Sequence, residues 1–348
     1  MSFFRQLVEA ILLMTFLYFR IRQALKRAPE IFQHGVCCLQ LVHDAKYSDC
    51  GMYDTVLPMD AGSTVIGIDL GGTKIHAVRY NSMWEEEQSL KVQTQASLGF
   101  EHVSDVLLEM ISSLRKDSTV NIGIGVPGLV KHPDGIILQL PNIPGAHNVP
   151  LQEKLSAETG LLCTVDNDAN CFALAEALLG AGKGHSVVVG ITMGTGVGGG
   201  IVVQGHLLQG AHGYAGEVGH MLLMPGNPPY KTKDKRGDVE QFLSGTAMGK
   251  RCEKASGPQD YLQGDACAFM HEDIFKEAAW MCTNLIHMID PSIIVFGGSV
   301  GNAISTHLPA IRSELSHWVL PGTPLPELVS AKLADAATRG AALLTEQQ

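Results

Sequence analysis

Charge and aromatic rings are both scarce in this chain: 17% of its 348 residues are charged and 6% aromatic, and acidic residues outnumber basic ones 35 to 25. A net charge of -10 argues against broad adhesion to nucleic acid or to an anionic membrane surface. Long apolar runs are missing too. Ala10 to Phe19 (AILLMTFLYF) is uninterrupted, but it falls short of the roughly 20 residues that span a bilayer, and Arg5 and Glu9 bar its extension. No small-residue cleavage site follows it, which disfavours a signal peptide. The eight cysteines (37, 38, 50, 163, 171, 252, 267, 282) include no C-x-x-C pair, so they read as reduced thiols of a cytoplasmic protein.

Residues 1–60 differ from the rest. They carry six basic and six acidic residues and no helix-turn-helix pattern. Two readings stand for this N-terminal extension: an interfacial helix that touches a membrane, or a poorly structured segment ahead of the organised protein, since Met52 and Met59 lie just before the first clear strand. A chain of this length exceeds the size at which one core stops growing, so two lobes are expected.

From Thr64 onward the pattern is α/β. VIGIDL (65–70) and IHAVRY (75–80) are β-rich runs joined by a glycine turn, the mark of a hairpin. Glu101 to Arg115 has the apolar spacing of an amphipathic helix, and NIGIGV (121–126) reads as a strand. Leu151 to Thr159 reads as a helix stopped by Gly160. Strand LLCTV, the polar cluster Asp166-Asn167-Asp168 and an alanine-rich helix from Ala169 to Leu179 follow. A second cycle runs from VVVGITM (187–193) through glycine-rich turns to a helix at Asp273–Met288, strand IIVF, a helix near Ala303–Trp318 and a last one over Ala334–Glu346.

Several glycine motifs invite a nucleotide. GIGVPG (123–128) and GTGVGG (194–199) fit G-x-G-x-x-G, but neither opens a helix, so a Rossmann site is disfavoured. GAGKGHS (180–186) puts Gly184 where a Walker loop needs Ser or Thr for magnesium. What remains is one glycine turn per lobe, at 71–74 and 194–199. Backbone N–H groups converge on such turns, and a pair of them facing one cleft suits phosphate oxygens.

IGIDLGGTKI, VPGLV, LPNIPG, VDNDANCFALAE, TMGTGVGGGIV, GEVGHM and IIVFGG, in this order, resemble the ROK family of sugar kinases. The resemblance implies an actin-like ATPase fold (ribonuclease H-like) with two lobes about a central cleft. On that pattern the N-terminal lobe takes 61–170 plus 334–348 and the C-terminal lobe 171–333. It implies ATP and Mg2+ as cofactors and a homodimer as the assembly. Asp69 stands near the magnesium, reached through water; Gly71, Gly72, Thr73 and Lys74 bind terminal phosphates; Thr195 and Gly196 form the second phosphate loop; Gly297 and Gly298 approach the adenosine. Asn142, Asn167, Glu217, His220 and Glu240 match positions that contact hexose hydroxyls.

In phosphoryl transfer the protein positions the reactants and neutralises charge, roles suited to Lys74, backbone amides and the metal. The attacking hydroxyl needs a base. Asp168 is the candidate, between a strand end and a helix start, although an Asp there could equally be a helix cap, as could Asp166 or Asn167. Many family members hold zinc with the GEVGH histidine and three cysteines, but Met221 to Val239 contains no cysteine and Asp238 stands in the motif, so no zinc is expected. The run KTKDKR (231–236) reads as a solvated loop. Two functions are carried forward. The first is an ATP-dependent kinase acting on the 6-hydroxyl of a hexose, with glucose ahead of N-acetylglucosamine and mannose-type sugars third. The other is a sugar-responsive regulator without kinase activity, which the intact phosphate turns and the lack of a DNA-binding motif disfavour.

Overall fold

The computed structural model describes residues 59–140 and 142–347. The N-terminal extension, with its interfacial-helix reading and Cys37, Cys38 and Cys50, lies outside the described residues. Strands β1 (Thr64–Leu70), β2 (Lys74–Asn81), β3 (Glu86–Gln93) and β4 (Thr119–Val126) begin the first sheet. A small sheet of β5 (Leu129–Lys131), β6 (Ile136–Gln139) and β7 (His147–Val149) interrupts it, and β8 (Leu162–Asn167) completes the order β3-β2-β1-β4-β8. The second large sheet has β9 (Val187–Met193), β10 (Val197–Val203), β11 (His206–Leu207), β12 (Ile293–Gly297) and β13 (Glu327–Ser330), ordered β11-β10-β9-β12-β13. Each sheet therefore pairs an antiparallel meander with two parallel strands, so the two cycles seen in the sequence are one topology used twice.

The helices in chain order are α1 (Phe100–Leu114), α2 (Leu151–Thr159), α3 (Asp168–Leu178), α4 (Val239–Leu243), α5 (Gly245–Arg251), α6 (Pro258–Gln263), α7 (His271–Ile289), α8 (Gly298–Ile304), α9 (Leu308–Leu315) and α10 (Ala336–Leu343). Helix α1 buries Val103, Leu107, Met110, Ile111 and Leu114 in one core with Ile66, Ile68, Ile122 and Ile124 of the first sheet. The opposite face of that sheet is covered by α10, with Val65 and Val78 joining Ala341 and Ala342 in a second core. A larger core surrounds α7 and the second sheet.

Helix α10 approaches both β4 and α3 at backbone contact. A Cβ on Gly123 of β4 would strike the Ala341 carbonyl, and one on Gly340 would strike the Cys171 carbonyl. Such packing transmits position with little slack, because no flexible side chain lies between the two backbones. At its far end α3 carries Glu176, fully buried, whose carboxylate accepts hydrogen bonds from the backbone N–H groups of Ala181, Lys332 and Leu333. The chain entering α10 is thereby tied to the helix that begins at Asp168.

Two sequence expectations need correction, and one strand was missed. Cys252 and Cys267 form a disulfide joining the end of α5 to the turn before α7, so these two are not free thiols; Cys163, Cys171 and Cys282 are free and buried. The spacing of 15 residues between the bonded pair resembles no short framework, which hid it in the sequence. The helix expected near Ala303–Trp318 is broken into α8, a turn of 3-10 helix and α9, where Pro309 lacks the N–H that a continuous helix would use. Strand β3 is hidden in the sequence because its exposed edge position leaves it mostly polar. No helix among the described residues is long and apolar enough to cross a membrane.

Candidate active site

Parallel strands β1, β4 and β8 end side by side, with Asp69, Gly125 and Asp166 in register. Glycine in the middle opens space between the two acidic ends. A Cβ on Gly125 would come within 3.0 Å of the Cys171 sulfur and 3.5 Å of the Asp168 Cα.

Of the three polar residues 166–168, two are engaged in holding the local structure. Asn167 is the N-cap of α3, its side-chain oxygen accepting from the N–H groups of Ala169 (2.8 Å) and Asn170 (3.3 Å) while its amide donates to the Gly128 carbonyl (2.9 Å). The Asp166 carboxylate is buried and accepts from the Asn167 N–H (2.7 Å), the Asn170 amide (2.9 Å) and the Gln209 amide (2.6 Å). Capping is thus settled without Asp168. Burial, the neighbouring charge of Asp69 and, more weakly, that of Glu217 raise the Asp168 carboxyl from 3.8 to about 7. Asp69 is raised to about 6 by burial, an effect that the Lys74 ammonium partly offsets.

The tip of the β1–β2 hairpin places Gly71, Gly72 and Thr73 beyond Asp69. Its closure is a hydrogen bond from Gly71 N–H to the Lys74 carbonyl (3.0 Å), and buried Thr94 braces it by donating its hydroxyl to the Gly71 carbonyl (2.7 Å). Thr73 and Lys74 are exposed. Asn142 lies against this turn, its amide nitrogen 3.2 Å from where a Cβ on Gly72 would stand. It also lines a cavity of about 410 Å³ formed by residues 139–140 and 142–147.

The β9–β10 tip is built differently. Gly194 N–H bonds the Gly196 carbonyl (2.9 Å), Gly245 N–H bonds the Gly194 carbonyl (2.8 Å), and the Thr246 hydroxyl donates to the Thr195 carbonyl (2.8 Å). Glu240 accepts from the Val197 N–H (3.0 Å) and closes over Gly196. Gly298 adjoins it, with φ +78° and with no room for a Cβ against the Met193 carbonyl. Gly297 ends β12 facing the Phe172 ring.

Glu217 leads into a single turn of 3-10 helix, Val218–His220, that lies on β10 because Gly219 abuts the Val197 carbonyl. Burial raises the Glu217 carboxyl; His220 beside it lowers it and Glu240 raises it again. The fold therefore gathers Asp69, Lys74, Asp168, Glu217, His220 and Glu240 from four separate stretches. The sequence had no means of revealing Asp166, Gln209 and Thr94 as the residues that brace these groups; only the first stands out there, as a rival cap. Two raised carboxyls beside an ammonium and two amide-rich turns suit a reaction that moves a proton off a hydroxyl while a phosphoryl group transfers.

Residues 65–348 match the ROK family. The chain is 31% identical over 313 residues to the glucokinase of Thermotoga maritima, covering 82% of this chain and 98% of that one. It is 32% identical over 301 residues to the N-acetyl-D-glucosamine kinase of Photobacterium profundum, covering 80% and 98%. A crystal structure of a ROK family glucokinase from Streptomyces griseus in complex with glucose and AMPPNP aligns with a TM-score of 0.66 at 29% identity, covering 82% of this chain and all of that one.

Proposed function

This chain belongs to the ROK family and is an ATP-dependent sugar kinase with the actin-like ATPase fold, and from that premise we propose that it phosphorylates the 6-hydroxyl of a hexose, glucose first and N-acetylglucosamine second. The observation that carries the reading is the raised, buried carboxyl of Asp168 beside Asp69: Asn167 serves as the cap of α3, and burial with the Asp69 charge outweighs the backbone N–H groups of Ala169 and Asp168 and holds the Asp168 carboxyl up at about 7. Asp168 accepts the proton of the 6-hydroxyl as that oxygen attacks the γ-phosphorus. The bond from the γ-phosphorus to the bridging oxygen breaks, and ADP leaves. Asn142, Asn167, Glu217, His220 and Glu240 hold the ring; Asn167 has one amide proton to spare after capping. Gly71, Gly72, Thr73 and Lys74 face the terminal phosphates from the first turn, Thr195 and Gly196 from the second, with Gly297 and Gly298 beside the adenosine. Asp69, whose carboxyl burial holds up against the pull of Lys74, would hold magnesium; when bound, the ion would neutralise phosphate charge.

We assign the lobes as 61–170 with 334–348, and 171–333, on the grounds that α10 packs against β1 and β4. Cytoplasmic placement accords with the need for MgATP. Relatives named for glucose and for N-acetylglucosamine are equally similar, so a sugar panel decides between them. The test is ADP release with glucose, N-acetylglucosamine, N-acetylmannosamine, mannose and fructose, wild type beside Asp168→Asn. One sugar should turn over, and the variant should lose about 10²- to 10⁴-fold. Sugar binding without turnover of any of the five would make the protein a sensor or regulator.

A further inference from the structure

The loop 221–239 is where relatives of the zinc-binding kind would hold their metal, and its donors do not suit one. Zinc asks for four nitrogen or sulfur ligands. Here His220 offers Nδ1 to a single carboxylate, Asp238, and among the described residues no group of three His, Cys, Asp or Glu side chains gathers to hold a metal. A guanidinium also faces the same oxygen, with Arg236 Nη1 3.3 Å from Asp238 Oδ2.

Asp238 is 1% exposed, and a carboxylate so buried must be matched by donors. Its Oδ1 accepts from the Gln241 N–H (3.2 Å), which makes Asp238 the N-cap of α4. Its Oδ2 faces Arg236 and, at 3.4 Å, the long end of hydrogen-bond range, His220 Nδ1. Gln241 clamps the loop from behind, donating to the Asp234 carbonyl (3.0 Å) and accepting from the Gly237 N–H (2.7 Å). Backbone bonds complete the closure: Val239 N–H to the Met221 carbonyl (2.8 Å), Leu223 and Met224 N–H to the Gly237 carbonyl (2.8 and 2.9 Å), and Gly226 N–H to the Lys235 carbonyl (2.9 Å). A loop closed by that many bonds needs no ion to order it.

We infer that Asp238, backed by Arg236 and Gln241, replaces a metal in orienting His220: the carboxylate holds the imidazole with its proton on Nδ1 and presents a bare Nε2 as acceptor to a sugar hydroxyl. Asp238 is a positioning residue, acting through His220. The sugar contact rests on the proposed kinase reading; the orientation of the ring does not. In the neutral imidazole, a carboxylate beside one nitrogen fixes the tautomer.

The test uses the full chain labelled with 15N-histidine, His220 being assigned by comparison with His220→Gln. The wild type should show His220 as the Nδ1–H tautomer, and the purified protein should contain far less than one zinc per chain and keep its rate with a zinc-selective chelator in excess magnesium. Asp238→Asn, which keeps an oxygen for the Gln241 cap, should shift the tautomer balance and raise the sugar KM about tenfold with the ATP KM unchanged, the cost of losing one charge-assisted hydrogen bond. An Nε2–H tautomer in the wild type, stoichiometric zinc, or equal rises in both KM values would overturn the inference. If no sugar turns over at all, the kinase reading fails, yet tautomer and zinc content still decide the role of Asp238.

Discussion

The β1–β2 and β9–β10 hairpins occupy the same place in two sheets of the same strand order, yet their tips are finished in different ways. The first ends in an exposed lysine, follows a raised carboxyl and is braced by one threonine. The second carries no charge of its own and is fastened from outside by Gly245, Thr246 and Glu240. Around it the chain is also stapled by the Cys252–Cys267 bond. The duplicated architecture has diverged in what each copy supplies. One turn brings charge that can follow the reaction, and the other brings a fixed cradle of amides.

Lys74→Met should break that asymmetry most. With both tips neutral, kcat should fall about 10²- to 10³-fold, the scale of losing one positioned donor to a developing charge, while sugar binding measured by calorimetry stays within about threefold. Opening the staple is next. Cys252→Ser should lower unfolding stability by about 3 kcal/mol in urea titrations, the scale for a closed loop of about 15 residues, with the larger loss in the second lobe.

The titration of Asp168 sharpens the comparison from the other side. With Asp168 as the proposed base, which must be ionised to accept a proton, kcat/KM for the sugar should fall about tenfold per pH unit below a pH of about 7 and level off above it. The same raised carboxyl binds its proton more tightly folded than unfolded. It therefore opposes folding increasingly as pH climbs from 3.8 to about 7, and Asp168→Asn should raise the melting temperature of the ligand-free protein in mildly alkaline buffer. Thr246→Val should do least: the Gly245 bond survives, so the KM for ATP should change by no more than about threefold in steady-state assays.

Much of this was legible in the chain itself. VIGIDL and IHAVRY are apolar enough on both faces to announce buried strands, and β9 runs over the residues expected of VVVGITM. Gly160 ends α2 in the left-handed conformation with φ 68°, as a C-terminal glycine should. Motif order carried the family. The rest depended on partners far away in sequence. Nothing local says that Gln209 will reach Asp166, or that Thr94 will brace a turn more than twenty residues earlier, since each is an ordinary polar residue until the fold supplies its acceptor. The choice among Asp166, Asn167 and Asp168 was likewise open in one dimension. It closed only when the backbone set which side chain could reach the free N–H groups at the start of α3.

The glycine-mediated contact between α10 and β4 bears on how the molecule is made. The face of the first sheet that α10 covers includes strands laid down near the beginning of the organised chain, and most of the chain lies between them and the helix. Distant pairings of this kind form late, and an apolar surface awaiting its cover is open to wrong partners. During synthesis the first sheet stays half clothed while the whole second sheet is produced, so the part of the protein that starts first is the part that finishes last.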